Sequence, residues 1–172
     1  MLYLCEREIG FDTAGLGFPA VDACRAIVLV TAGGLFGYHL NGNLNEGKKI
    51  AFAGFVNRNP AAFSKLKLFV ASTQNLPFFH GEIRELAKML GYKGTIYWNT
   101  LAPGSNYVHY DFHANGTCII TSRAWSDVND NIPGNKGGYV AANRAIANGP
   151  TPLQMYTNVN VAGLAAIYPA AI

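Results

Sequence analysis

Charge is scarce in this chain. Asp, Glu, Lys and Arg make up 13% of its 172 residues, against roughly 25% in an ordinary soluble domain, so disorder driven by charge repulsion is excluded. The basic residues outnumber the acidic ones by a net charge of only +3, and they are scattered, with Lys48-Lys49 and Lys65/Lys67 the densest spots. Nucleic-acid binding needs a clustered basic stripe, and no nucleic-acid partner is expected. Long apolar runs are missing too. The stretch from Ala26 to Leu40 is interrupted by Thr31-Ala32-Gly33-Gly34, and nothing reaches the ~20 residues of a membrane-spanning helix. The opening Met-Leu-Tyr-Leu-Cys-Glu-Arg-Glu puts acidic residues where a Sec-type signal needs a basic and then an apolar segment, so no such signal is expected. Cysteine is limited to Cys5, Cys24 and Cys118, an odd number without C-x-x-C spacing. That argues against a disulfide framework or a zinc site and leaves at least one thiol free.

What is present is apolar and turn-rich. Half the residues are hydrophobic and 12% aromatic, with 19 Gly, 8 Pro and sixteen Asn. This mixture suits many short strands better than a helical bundle. The length matches one domain, and neither an internal repeat nor a long linker divides it. The expectation is a single α+β domain over residues 1–172, with a strand-rich core of layered mixed or antiparallel sheets and a few flanking helices.

The β-branched run from Arg25 to Val30, the Thr-Ala-Gly-Gly that follows it and the segment from Leu35 to Leu40 predict a β-hairpin. Lys49–Val56 and Leu66–Ser72 read as two further strands, the second preceded by a helical turn at 60–66. Phe79, Ile83, Leu86, Ala87 and Leu90 recur at helical spacing and predict a helix over 78–90, with Pro77 in its first turn and Gly91 at its end. Thr95–Trp98 is a predicted strand, and 107–113 with 117–123 a second hairpin. Beyond these, 132–138 reads as a loop, 139–147 as a short helix and 153–156 as a last strand.

The sharpest chemical constellation is Cys24 and His39, at the outer ends of the first hairpin. With the turn centred at residues 32 and 33, Cys24 lies opposite position 41 and diagonal to His39. Neighbours of this kind sit roughly 4.5 to 8 Å apart. An imidazole beside a thiol can take its proton, leaving a thiolate nucleophile and an imidazolium that protonates a leaving amine. Residues 14–23 read as a loop that exposes the thiol and offers backbone N–H groups to an oxyanion. The competing interpretation is a small buried hydrophobe next to a polar strand end.

The run Val21-Asp22-Ala23-Cys24-Arg25-Ala26-Ile27-Val28-Leu29-Val30, with the Gly-containing turn and Phe36-Gly37-Tyr38-His39, resembles the core of the Cys-His glutamine deamidases. That group comprises the CheD chemotaxis deamidases, the catalytic domain of the cytotoxic necrotizing factors and the Burkholderia lethal factor. The similarity covers about residues 15–40. The sequence departs from the family in two places: Asp22-Ala23 stands where Ser-Gly is usual, and Phe18 where some members carry Thr. The resemblance implies strand layers flanked by helices, hydrolysis of a protein Gln side-chain amide to Glu with release of ammonia, no cofactor, and a protein substrate. It further implies Cys24 as nucleophile and His39 as base and then acid, with the group orienting His39 open to being a main-chain carbonyl. Such an activity would belong to a secreted bacterial effector or toxin domain acting in a target-cell cytoplasm.

Other patterns compete. A papain- or NlpC-like amidase would place Cys24 at a helix N-terminus with His80 or His109, oriented by Asp111 or Asn99; the run after Cys24 is a poor helix and a good strand. On a strand, His109, Asp111 and His113 share one face and could take a transition metal, although a strand with one wet face looks the same. Asp127-Val128-Asn129-Asp130-Asn131 begins like a calcium loop but has Ile132 where Gly is required. A non-catalytic protein-binding module that uses the aromatic and Asn-rich loops as its contact surface is the alternative from a different class.

Overall fold

The computed structural model describes residues 1–74, 79–126, 144–147, 159 and 161–172. Within them, two helices and twelve strands form two mixed sheets, an α+β fold rich in strand. The strands are β1 (Leu2–Tyr3), β2 (Glu8–Asp12), β3 (Gly15–Val21), β4 (Arg25–Thr31), β5 (Gly34–Leu40), β6 (Lys65–Ser72), β7 (Ile96–Thr100), β8 (Asn106–Phe112), β9 (Cys118–Ala124), β10 (Arg144–Ile146), β11 (Ala165–Ala166) and β12 (Ala170–Ala171). The helices are α1 (Glu46–Asn57) and α2 (His80–Met89). One sheet has the order β1-β3-β8-β9-β11 and the other β10-β2-β5-β4-β6-β7-β12. No helix among the described residues is long and apolar enough to cross a membrane.

Strand periodicity sorts the side chains into layers. In β4, Ala26, Val28 and Val30 face the five-stranded sheet and meet Leu16, Phe18, Val108 and Tyr110 in an inter-sheet core. The alternate residues Ile27 and Leu29 face the helices and pack with Phe52, Val56, Ile83 and Leu86. Because β4 is buried on both faces, every one of its positions is interior, which is why its sequence is a continuous β-branched run rather than an alternation. A third, smaller cluster of Tyr3, Cys5, Tyr107 and Trp125 covers the outer face of the five-stranded sheet.

The first hairpin has the predicted register, from Arg25 opposite Leu40 to Thr31 opposite Gly34. The second, β8 with β9, runs from Asn106 opposite Ala124 to Phe112 opposite Cys118. The segment over 49–56 is not a strand. It is α1, because Asn45 caps the helix by accepting from the Lys48 N–H at 3.0 Å and because Lys49, Phe52, Ala53 and Val56 recur at three- and four-residue spacing on its buried face. No helical turn precedes β6; residues 58–61 form turns. The predicted loop over 14–23 is also overturned, since Gly15–Val21 is the buried strand β3, second in its sheet. Its Gly-Leu-Gly-Phe-Pro sequence looks like a loop, yet a Cβ on Gly17 would lie 2.6 Å from the Tyr107 hydroxyl and from the Tyr3 ring. A register shift between Phe18 and Val21 accommodates Pro19. Residues 144–146 of the predicted helix over 139–147 are strand β10, paired with β2. Pro77, Phe78, the loop over 132–138, the strand over 153–156 and the calcium-like segment at 127–131 lie outside the described residues.

Candidate active site

Between β3 and β4 the chain crosses from one sheet to the other in three residues, Asp22, Ala23 and Cys24. Cys24 is therefore the last residue of a corner, placed directly before a strand fixed on both sides. The Ser72 hydroxyl donates to the Cys24 carbonyl at 3.4 Å and the Thr73 hydroxyl to the Asp22 carbonyl at 2.5 Å, tying the corner to the end of β6. The Cys24 side chain is half-buried and packs against the inter-sheet core.

His39 is the next-to-last residue of β5 and lies opposite Ala26. Cys24 precedes Ala26 by two positions, one residue outside β4; it packs against the inter-sheet core and His39 meets Phe18 of that core, so the two residues lie on one side of the sheet at diagonal register positions. The ring of His39 is buried at 1% exposure, with Phe18 edge-on at 5.9 Å. Its Nδ1 lies 2.7 Å from the main-chain oxygen of Leu4. A carbonyl can only accept, so Nδ1 carries the hydrogen and the neutral ring keeps its lone pair on Nε2. Nε2 is buried and makes no hydrogen bond with any described residue, Cys24 included.

Leu4 is itself held. Its N–H donates to the Gly17 carbonyl at 2.8 Å, and the Arg7 N–H donates back to the His39 carbonyl at 2.7 Å. The turn between them is closed by the Glu8 N–H on the Cys5 carbonyl at 3.0 Å, and by the Cys5 N–H on Glu8 Oε2 at 2.7 Å. Glu8 is fully buried, and its other oxygen meets Arg144 at 3.3 Å. A buried carboxylate thus anchors the turn that orients the imidazole.

Electrostatics set the resting protonation. Burial, followed by the charge of Glu6, pushes the Cys24 thiol up to about 11; a main-chain hydrogen bond from Asp22 and the Lys48 ammonium act in the opposite sense. Burial holds His39 below its ordinary 6.5, against the Leu4 hydrogen bond and Glu6. Near pH 7 Cys24 is consequently a neutral thiol and His39 a neutral imidazole, a state that allows general-base chemistry but holds no standing ion pair.

The competing constellations fare differently. Cys24 opens a strand rather than a helix. His109 lies with Tyr107 on the outer face of β8, away from Cys24, accepting or donating within a chain that runs Tyr107 Oη to Nδ1 at 2.8 Å and Nε2 to Asp111 Oδ1 at 2.9 Å. His80 is the first residue of α2. With no helix starting at Cys24, the papain-like arrangement is not formed. His113 falls beyond β8 and is exposed, and among the described residues no three His, Cys, Asp or Glu side chains converge on a metal position; the grouping of His109, Asp111 and His113 is thereby overturned. Asn99 lies at the far end of the register row His39, Ala26, Ala71, Asn99 on the inter-sheet face, with its Oδ1 buried and unbonded. The features that sequence reasoning missed are the Leu4 carbonyl and its Glu8 anchor. A main-chain oxygen leaves no side-chain signature, and Glu8, at the start of β2, is separated in sequence from His39, near the end of β5, by the whole of β3 and β4. No protein-family model matches the chain, and no curated protein matches it.

Proposed function

We propose that the domain is a thiol-dependent amidohydrolase that deamidates a protein Gln side chain. Cys24 is the nucleophile, His39 the base and then the acid, and the Leu4 carbonyl the group that orients the ring. The observation that carries this reading is the His39 geometry. Nδ1 is committed to a main-chain oxygen, and a free Nε2 lone pair is buried on the face that Cys24 shares. A buried ring nitrogen without a partner costs stability, about 1–3 kcal/mol, and such costs concentrate where chemistry needs them.

In the proposed reaction Nε2 takes the Cys24 proton as the sulfur attacks the amide carbon. The tetrahedral oxyanion collapses, the imidazolium gives its proton to the departing nitrogen, and ammonia leaves a thioester on Cys24. Water then gives a proton to Nε2 and attacks the thioester carbon, and the returning proton regenerates the thiol as the Glu carboxylate leaves. The cycle needs no cofactor. A χ1 rotation of Cys24 or the arrival of substrate closes the diagonal gap, as catalytic hydrogen bonds often tighten only in the complex.

Incubation of candidate target proteins with the wild type, Cys24→Ala and His39→Ala, followed by ammonia release and Gln-to-Glu mass change, tests the proposal. Conversion by the wild type and its loss in both variants supports it; conversion that survives Cys24→Ala overturns it. The raised thiol pKa and the missing Cys24–His39 hydrogen bond favour a second reading, a non-catalytic binding module with an inert Cys24. Thiol labelling that is slow and indifferent to His39→Ala would favour that module.

A further inference from the structure

Away from Cys24, a cavity of about 400 Å³ opens between the sheets beneath the segment 166–169. That segment joins the two sheets: β11 pairs with β9 in one, and β12 with β7 in the other. Phe69, Tyr97, Ile120 and Ile167 provide apolar walls, and Lys67 and Cys118 are the polar groups beside them. The volume lies within the roughly 300–1,000 Å³ of small-molecule sites.

Two polar groups, one lining the cavity and one behind its wall, have no partner among the described residues. Lys67 stands opposite Val30, a member of the inter-sheet core, so its side chain is on the inner face, half-buried. It forms no ion pair or hydrogen bond with any described residue. Its Nζ keeps contact with solvent, open to pair with the anionic end of an entering ligand. The second is Tyr110, fully buried with a hydroxyl that has no hydrogen-bond partner. Its ring lies 6.2 Å from Phe69 and it pairs across the ladder with Ile120, two of the cavity walls. At the rim, Ile119 is 46% and Tyr168 88% exposed, apolar surface that an incoming chain can slide across.

We infer that this cavity binds a small amphiphile carrying one carboxylate on an apolar chain, with the carboxylate on Lys67 and the chain between Phe69, Ile120 and Ile167. The Cys118 thiol, pushed up to about 12 mainly by burial, stays neutral and adds no competing charge. The site is independent of Cys24 and His39, so its test does not depend on the deamidase proposal.

Isothermal titration calorimetry of the full chain with hexanoate, octanoate and decanoate, and with octanol as the uncharged comparison, tests it. Saturable binding that tightens about fourfold per methylene is expected from burial of the chain, with octanoate about tenfold tighter than octanol. Lys67→Met should erase the preference for octanoate over octanol. Ala166→Trp, at an exposed position lining the cavity, should abolish binding of both without altering thermal unfolding. Absence of saturable binding by any carboxylate, equal affinity for octanoate and octanol, or binding unchanged in either variant would overturn the inference.

Discussion

The imidazole of His39 donates from Nδ1 to the main-chain oxygen of Leu4 at 2.7 Å, and the peptide three residues beyond Leu4 donates back to the His39 carbonyl. This reciprocal pair fixes both the tautomer and the ring orientation with no acidic side chain as the third member. A carbonyl stabilises the imidazolium less than a carboxylate does. The ring therefore stays neutral at rest, with the Nε2 lone pair that the proposed mechanism uses as its base.

The pH profile follows from the two directions of shift. His39 titrates below its ordinary 6.5, so the acid limb of kcat/KM should lie below pH 6.5. Cys24 is pushed up to about 11, so no alkaline loss attributable to the thiol should occur near neutrality. The same shift links to stability. The unfolded chain binds a proton at His39 near 6.5 and the native chain does not, so stability is full above that pH and falls as the pH drops below it. Urea midpoints across this range, which should fall less steeply for His39→Gln, check the second point; a pH–rate series checks the first.

Glu8 should behave in the opposite sense. Burial raises its carboxyl above 4.5, so the native state holds its proton to higher pH than the unfolded chain, and stability falls as the pH rises through that window. Glu8→Gln removes this titration and should gain on the wild type as the pH is raised from about 4 towards neutrality. Glu8→Ala removes the acceptor of the Cys5 N–H and a carboxylate that Arg144 meets, and should cost about 3 kcal/mol. Because it loosens the turn that carries Leu4, it should also lower activity in the fraction that remains folded.

Arg25, next to Cys24 in the chain, is 1% exposed and bonds Glu82 and the Gly42 carbonyl at 2.9 Å each, with its guanidinium 4.0 Å from the Phe79 ring centre. It pins the start of β4 to α2. Arg25→Ala should destabilise the fold by about 3 kcal/mol, since Glu82 loses its charged partner and keeps only the Leu44 N–H, and a large buried side chain is removed. Chemical denaturation measures it.

A Cβ on Gly37 would stand 2.6 Å from Leu16 and 2.9 Å from Leu4 and Phe18. Gly37→Ala should therefore overpack the inter-sheet core by about 1–3 kcal/mol. As Leu4 and Phe18 are the two groups against the His39 ring, the same variant should depress kcat more than it raises KM.

The first hairpin was legible because two independent signals agree there: a β-branched run buried on both faces and a Gly-Gly turn that fixes the register. Where one signal stood alone, reading failed. The apolar residues of α1 looked like a strand until the Asn45 cap and the spacing of Lys49, Phe52, Ala53 and Val56 are weighed together. The glycines of β3 looked like a loop because their purpose, close approach to Tyr3 and Tyr107, is tertiary. The backbone register that relates Cys24 to His39 could be read from hairpin arithmetic. The Leu4 carbonyl could not, since every residue has one and only the fold selects which meets His39.

The most direct test of a base at His39 acting on Cys24 is the rate of iodoacetamide labelling at Cys24, resolved by peptide mass spectrometry near pH 8, in wild type and His39→Ala. With thiol activation by the imidazole, the variant should be slower by about tenfold or more, while Cys118 labels equally in both. An unchanged rate at Cys24 in folded His39→Ala would contradict the assignment of His39 as its base.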